Sequence, residues 1–239
     1  MKKVERFIVS CDGCGFTYRD PALDEKDLQI LYAHFRDMSL RNESPDEYFN
    51  RITNLPAKES ENTVKVEWLK GNLEKRLAYP GKILDIGCGG GVFLYTFNKL
   101  IPGWKLHGIE PTSSFAKLAA RRLGQPVIDG SYTAKLFDKK FDLITINQVL
   151  EHVKSPVNFL EAVSEDLAEG GFVYLEVPDV RDFDFLPDNH DRFHMQHLSI
   201  LSKDSLRTTC QNAGYKIATI SQTITIRGKN NINVILEKG

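Results

Sequence analysis

From residue 82 onward the chain repeats one pattern: a short apolar run, a turn, then apolar positions at helical spacing. Ile83-Leu84-Asp85-Ile86 reads as a buried strand carrying one carboxylate, followed by glycines at 87, 89, 90 and 91 and a helical stretch from Val92 to Leu100. Lys105–Glu110 is a second strand, and Pro111-Thr112-Ser113-Ser114 opens a helix through Leu118 and Leu123. Pro126–Ser131 holds a third strand and its turn, Phe141–Asn147 a fourth, and Phe172–Pro178 a fifth, with a helix from Ser155-Pro156 to Leu167 between the last two. A helix through Leu206 and Cys210 and two β-rich runs, at about 215–226 and 231–237, complete the chain. Alternating strands and helices predict an α/β fold with a mainly parallel sheet.

The first 80 residues read differently. Phe7-Ile8-Val9 predicts a short strand ahead of Cys11-Asp12-Gly13-Cys14-Gly15. Helices are expected over 24–38, from Ser44 (capped through Glu47, with Pro45 in the first turn), and over about 59–78 with Val64, Trp68, Leu69 and Leu73 on one face. Three units follow: 1–23 around the cysteine pair, an N-terminal helical lid over 24–79, and a main domain over 80–239. A C-x-x-C turn is half of a structural zinc site, which needs four ligands. It is read as a metal-free remnant, with zinc completed from outside or a redox pair as the alternatives. No metal site is assigned.

The glycine turn is where the chemistry concentrates. Glycines let a ligand approach the main chain, and the free N–H groups of the following helix favour an anion or carboxylate. The dinucleotide fingerprint G-x-G-x-x-G fails, because Val92 stands where the last small residue belongs. Glu110 ends the second strand about 25 residues after Asp85, close to the ~20-residue spacing that brings an acid to a ribose. Asn147 lies at the carboxyl end of the fourth strand, where ligands bind in such sheets.

D-x-G-x-G-x-G over Asp85–Gly91 resembles the first motif of the class I S-adenosylmethionine (SAM)-dependent methyltransferases. Gly108-Ile109-Glu110-Pro111-Thr112 is similar to their second motif, and Phe141-Asp142-Leu143-Ile144 to their fourth strand. Val149-Leu150-Glu151-His152-Val153 resembles the segment after that strand in ubiquinone-type O-methyltransferases. The resemblance spans about 80–239 and implies a Rossmann-like seven-stranded methyltransferase sheet of order 3-2-1-4-5-7-6 with the last strand antiparallel. It implies SAM as cofactor, held by Asp85, Gly87, Cys88, Gly89, Glu110, Pro111, Asn147 and Gln148, with the adenine beside Asp129, Gly130 and Ser131.

Methyl transfer needs an aligned nucleophile and a base for its proton. His152 is the first choice, oriented by Glu151. The segment from His194 to His197 resembles that of sugar C-methyltransferases, with Gln196 replacing their glutamate, which favours O-methylation and makes His194 and His197 further candidates. The implied function is methyl transfer to a small molecule or a sugar or glycan precursor. The alternative is a non-catalytic binding or regulatory module on the same fold. A net charge of −1 gives no support for a nucleic-acid partner, and no apolar run approaches the ~20 residues that span a membrane. No signal peptide is expected at Met1–Arg6, so the cytoplasm is the expected location. Residues 179–200 are expected to form a long loop.

Overall fold

The computed structural model describes residues 7–21, 23, 26–28, 30, 43–185 and 196–239. The expected helix over 24–38 and His194 lie outside the described residues, the helix but for a few positions. Two sheets form. The small one joins β1 (Phe7–Ser10), β2 (Thr17–Asp20) and β8 (Ser199–Ile200). The large one uses β3 (Lys82–Ile86), β4 (Lys105–Glu110), β5 (Val127–Asp129), β6 (Phe141–Asn147), β7 (Leu167–Pro178), β9 (Tyr215–Ile224) and β10 (Asn230–Lys238). Its order is β5-β4-β3-β6-β7-β10-β9. β10 runs antiparallel to both β7 and β9, whereas β3–β6 pair in parallel. In the numbering of the main sheet alone this is 3-2-1-4-5-7-6, as the resemblance implies.

The strands are buried on both faces, and their alternation divides the core in two. Leu84, Ile86, Ile144, Ile146 and Leu175 pack with Leu160, Val163 and Leu206 from α5 (Pro156–Asp166) and α6 (Lys203–Asn212). Ile83, Leu143 and Tyr174 face the other way, onto helices α2 (Glu61–Leu77) and α3 (Val92–Leu100) through Val66, Leu69 and Phe97. The remaining helices are α1 (Pro45–Thr53) and α4 (Ser113–Leu123). At α1 the expected capping box is present: Ser44 N–H donates to Glu47 Oε2 at 2.7 Å, and Glu47 N–H to Ser44 Oγ at 3.2 Å.

Two expectations need correction. On α2 the core stripe is Val66, Leu69, Leu73 and Leu77, while Val64 is 51% exposed. The helix leaves helical geometry at Leu73 (φ −126°, ψ 20°), and its inward face is set by Val66 rather than Val64. The described parts of 179–200 are not all loop: a 3-10 segment covers Val180–Phe185, and Ser199–Ile200 pair antiparallel with Thr17-Tyr18. Among the described residues no helix is long and apolar enough to cross a membrane.

The α2 geometry makes a contrast. Leu69→Ala, at a fully buried site, should lower stability by ~2–5 kcal/mol. Val64→Ala, on the exposed face, should stay within about 0.5 kcal/mol. Urea unfolding of the two variants beside the parent measures both; equal losses would contradict the stripe.

Candidate active site

The chain leaves β3 through a turn that only glycine accommodates at two places. Gly87 has φ +72°, and a Cβ there would stand 2.6 Å from Val149 Cγ2. Gly91, at φ +79°, caps α3, which has no side-chain cap, so its first N–H groups face the turn. Gly89 shares the left-handed backbone (φ +53°), but a Cβ there would meet nothing within 4 Å, so its surface is open. Cys88 turns its thiol inward. Its Sγ packs where a Cβ on Gly108 would be only 2.8 Å away, and burial pushes the thiol well above its ordinary range. Cys88 takes part in the turn by donating its N–H to the Ile109 carbonyl at 3.1 Å and its buried thiol to the Gly89 carbonyl at 3.7 Å.

Glu110, 1% exposed, ends β4 against this turn. Its Oε2 accepts the Gly89 N–H and its Oε1 the Thr112 N–H, each at 2.9 Å. A carboxylate offers about four lone-pair sites, so two main-chain donors leave capacity for a ligand hydroxyl. Pro111 and Ser131 are exposed beside it, Asp129 is the register partner of Glu110, and Gly130 N–H donates to the Glu110 carbonyl at 3.0 Å. The structure thus brings the first three strand ends to one rim.

The fourth strand completes that rim. Asp85, 2% exposed, accepts from Thr145 Oγ1 at 2.6 Å and from Asn147 Nδ2 at 3.2 Å, both on its Oδ1. Burial pushes its carboxyl up to about 7, against the lowering effect of those two donors and of Lys65. Asn147 Oδ1 is buried and has no hydrogen-bond partner among the described residues. Gln148 sits at φ +55°, rare for a residue with a side chain, and is held twice by Glu176: N–H to carbonyl at 2.9 Å and Nε2 to Oε1 at 2.9 Å. Lys65 Nζ reaches the same Oε1 at 2.7 Å from α2.

Beyond Gln148 the 3-10 turn Leu150–His152 carries Glu151, which is buried, and His152. His152 Nδ1 lies 3.0 Å from the Gln196 carbonyl, and its Nε2 lies 3.7 Å from Glu151 Oε1. The His197 ring stands edge-on at 4.9 Å between centroids. Ligand atoms of Glu151, His152 and His197 all fall within 4.8 Å of one another, so this group has the donors for a cation. His197 and Gln148 also border a cleft of about 190 Å³ with Lys65, Glu176 and Arg227. The expected residues therefore gather at the C-terminal edge of the sheet.

Sequence reasoning missed Thr145, Lys65 and Glu176. A signal was present for two of them. Asp85, Thr145, Asn147 and Glu176 share the inward parity of Ile83, Leu143 and Phe172, so the polar residues fall on one sheet face. Lys65 left no such mark, being one of several lysines on its helix.

A sheet of this order with a glycine turn after its first strand and an acid closing its second defines the class I methyltransferase fold. The chain belongs to the methyltransferase domain family, whose model matches residues 62–220. Among curated relatives it is similar to the mitochondrial ubiquinone biosynthesis O-methyltransferase of Mus musculus, 29% identical over 134 residues, covering 48% of this chain and 36% of that protein. The ubiquinone biosynthesis O-methyltransferase of Dechloromonas aromatica is 30% identical over 122 residues, covering 48% and 50%. The chain thus spans between a third and a half of these two relatives. Among solved structures, the plantazolicin methyltransferase BpumL, in complex with a triazolic desmethylPZN analog and SAH, aligns with a TM-score of 0.65 at 15% identity, over 90% of this chain and 98% of that one. Magnesium protoporphyrin IX methyltransferase from Synechocystis PCC 6803, with bound SAM, aligns at 0.62 and 16%, over 92% and 100%. At such identities the likeness is one of fold.

Buried Asp85 gives a pH test with a definite sign. Its folded-state value near 7 lies above the ordinary 3.8, so the folded form holds a proton that the unfolded form has lost between those values. Stability carried by this group is present below about pH 4 and is lost as pH rises through 7. Asp85→Asn should keep both accepted hydrogen bonds and remove that slope. The gap between variant and parent should widen from pH 4 to 7 by on the order of 4 kcal/mol. Urea unfolding across this range checks it, and parallel curves would refute a protonated Asp85.

Proposed function

We propose that this chain transfers a methyl group from SAM to a hydroxyl of a small molecule or a sugar or glycan precursor, with a histidine as base. The observation that carries the reading is the His152–His197 pair beside Gln148 at the end of the fourth parallel strand. A carbonyl only accepts, so the 3.0 Å contact with Gln196 makes His152 Nδ1 the N–H. Nε2 of the neutral ring then carries the lone pair that a base needs. Once protonated, that nitrogen lies near the buried Glu151 carboxylate, which favours the imidazolium.

The residues present suit the donor. Gly89 offers open main chain, Glu110 retains acceptor capacity beside it, and the buried Asn147 Oδ1 is unmatched within the described residues. When bound, SAM supplies an electrophilic methyl group on a positively charged sulfur. The protein's part is to seat the donor on the rim, hold the acceptor in the adjoining cleft and take its proton at His152 or His197. Proximity of this kind contributes up to ~7–11 kcal/mol, and a positioned base typically ~10²–10⁴-fold. The ubiquinone biosynthesis O-methyltransferases among the similar proteins support an acceptor of this size.

Two experiments separate donor binding from proton transfer. Gly89→Val should weaken SAM binding by about tenfold or more, equivalent to about 1.4 kcal/mol, because its side chain fills the open face of the turn. Calorimetric titration reads this, and parent-like affinity would remove Gly89 from the site. His152→Asn should lower turnover by ~10²–10⁴-fold with SAM affinity retained, assayed against hydroxylated small molecules and sugar nucleotides. Unchanged turnover would exclude His152 as the base.

A further inference from the structure

The tip of the β1–β2 hairpin takes no part in the proposed reaction, yet it is built. Cys11 and Cys14 are both free and exposed. Cys11 N–H donates to the Phe16 carbonyl at 2.9 Å, and Gly15 N–H to the Cys11 carbonyl at 2.8 Å. Gly15 makes the reversal at φ +67°. The closed turn holds both thiols at one tip, with Cys11 Sγ 3.8 Å from where a Cβ on Gly13 would stand. The thiolate is the form of cysteine that binds metals.

Zinc held by thiolates takes four ligands in a tetrahedron. Among the described residues, the group of three or more potential ligands is Glu151, His152 and His197, which does not include the cysteines. The hairpin presents two of the four ligands that such a site needs. The same hairpin exposes Phe7 (62%), Ile8 (44%) and Tyr18 (37%), and β1 is the edge strand of its sheet. Edge strands with exposed apolar residues are sites of association.

We propose that two copies of this chain join through their hairpin tips around one zinc ion held by Cys11 and Cys14 of each. A two-fold axis through the ion supplies the second pair in the same geometry and sets each apolar strip against its counterpart. On binding, the four thiols release their protons to solvent and four thiolate–zinc bonds form, with no change of oxidation state. The bridge would also brace the histidine pair from behind. Arg19, on β2, donates its N–H to the Leu198 carbonyl at 3.1 Å and its Nε to the His197 carbonyl at 3.1 Å. Leu198 N–H in turn donates to the Glu151 carbonyl at 2.7 Å.

The test uses the full chain, reduced with a phosphine, stripped of metal and titrated with zinc. Native mass spectrometry and sedimentation should show one zinc per two chains and conversion of monomer to dimer. Cobalt in place of zinc should give the charge-transfer band of four thiolates. The Cys11→Ser/Cys14→Ser variant should remain folded by circular dichroism, monomeric and free of zinc. Failure to take up stoichiometric zinc would overturn the proposal, as would one zinc per chain in a monomer. A zinc-dependent dimer that survives in the double variant would overturn it too. None of these outcomes depends on whether the chain transfers methyl groups.

Discussion

The Glu110 carboxylate is the point from which the rest of the site is positioned. One oxygen holds Gly89 in the turn after β3, and the other holds Thr112 at the start of α4, each at 2.9 Å. Charge-assisted hydrogen bonds to main-chain N–H groups are about twice as strong as neutral ones. At 1% exposure, losing the carboxylate would leave two N–H groups without their acceptor. Two successive strand ends thus keep their relative positions through one side chain. The same residue is the candidate for holding a ligand's hydroxyls. Its structural and binding roles cannot be separated by simple removal, since either loss would displace the glycine turn.

The sheet face beneath α2 concentrates buried acid. Asp85 and Glu176 lie on it, with Glu110 and Glu151 at the neighbouring strand ends. Three of them are held by donors: Asp85 by Thr145 and Asn147, Glu110 by main-chain N–H groups, and Glu176 by Lys65 and Gln148. At Asp85, desolvation outweighs the two donors and pushes the carboxyl strongly upward. A rim of this composition has the electrostatic character suited to a cationic ligand, because Asp85, Glu110 and Glu176 are already held in place before a ligand arrives. The Lys65–Glu176 pair adds a connection from the helical segment to the strand ends, so α2 is tied to the rim by charge as well as by Leu69 and Val66.

Much of the main sheet was legible because its information is local. Apolar runs of the right length, glycine at the turns and an acid at the end of the second strand each announce themselves within a few residues. The Ser44–Glu47 capping box is equally local. The misreadings have a common cause, which is distance along the chain. Whether Val64 or Val66 faces inward is settled by how α2 lies on the sheet and bends at Leu73, and a helical period alone accommodates either face. The pairing of Ser199–Ile200 with Thr17-Tyr18 joins segments from opposite ends of the sequence, and a two-residue strand has no periodicity to reveal it. At the site, Glu151, His152 and His197 were legible as residue types, while the Gln196 carbonyl was not, since any residue carries one.

That carbonyl decides the chemistry open to His152. Of the two ring nitrogens, the one facing Gln196 must carry hydrogen, so the proton-accepting nitrogen is fixed by the main-chain path of a segment more than 40 residues later. The path is held from two further sides. Leu198 is bound to the Glu151 carbonyl, and Arg19 holds the carbonyls of His197 and Leu198. Three parts of the chain that are remote in sequence thus converge on one tautomer. A surface loop with the same histidines would leave the ring free to turn and either nitrogen free to titrate. Convergence of this kind is the physical difference between two neighbouring histidines and an imidazole held in one tautomer.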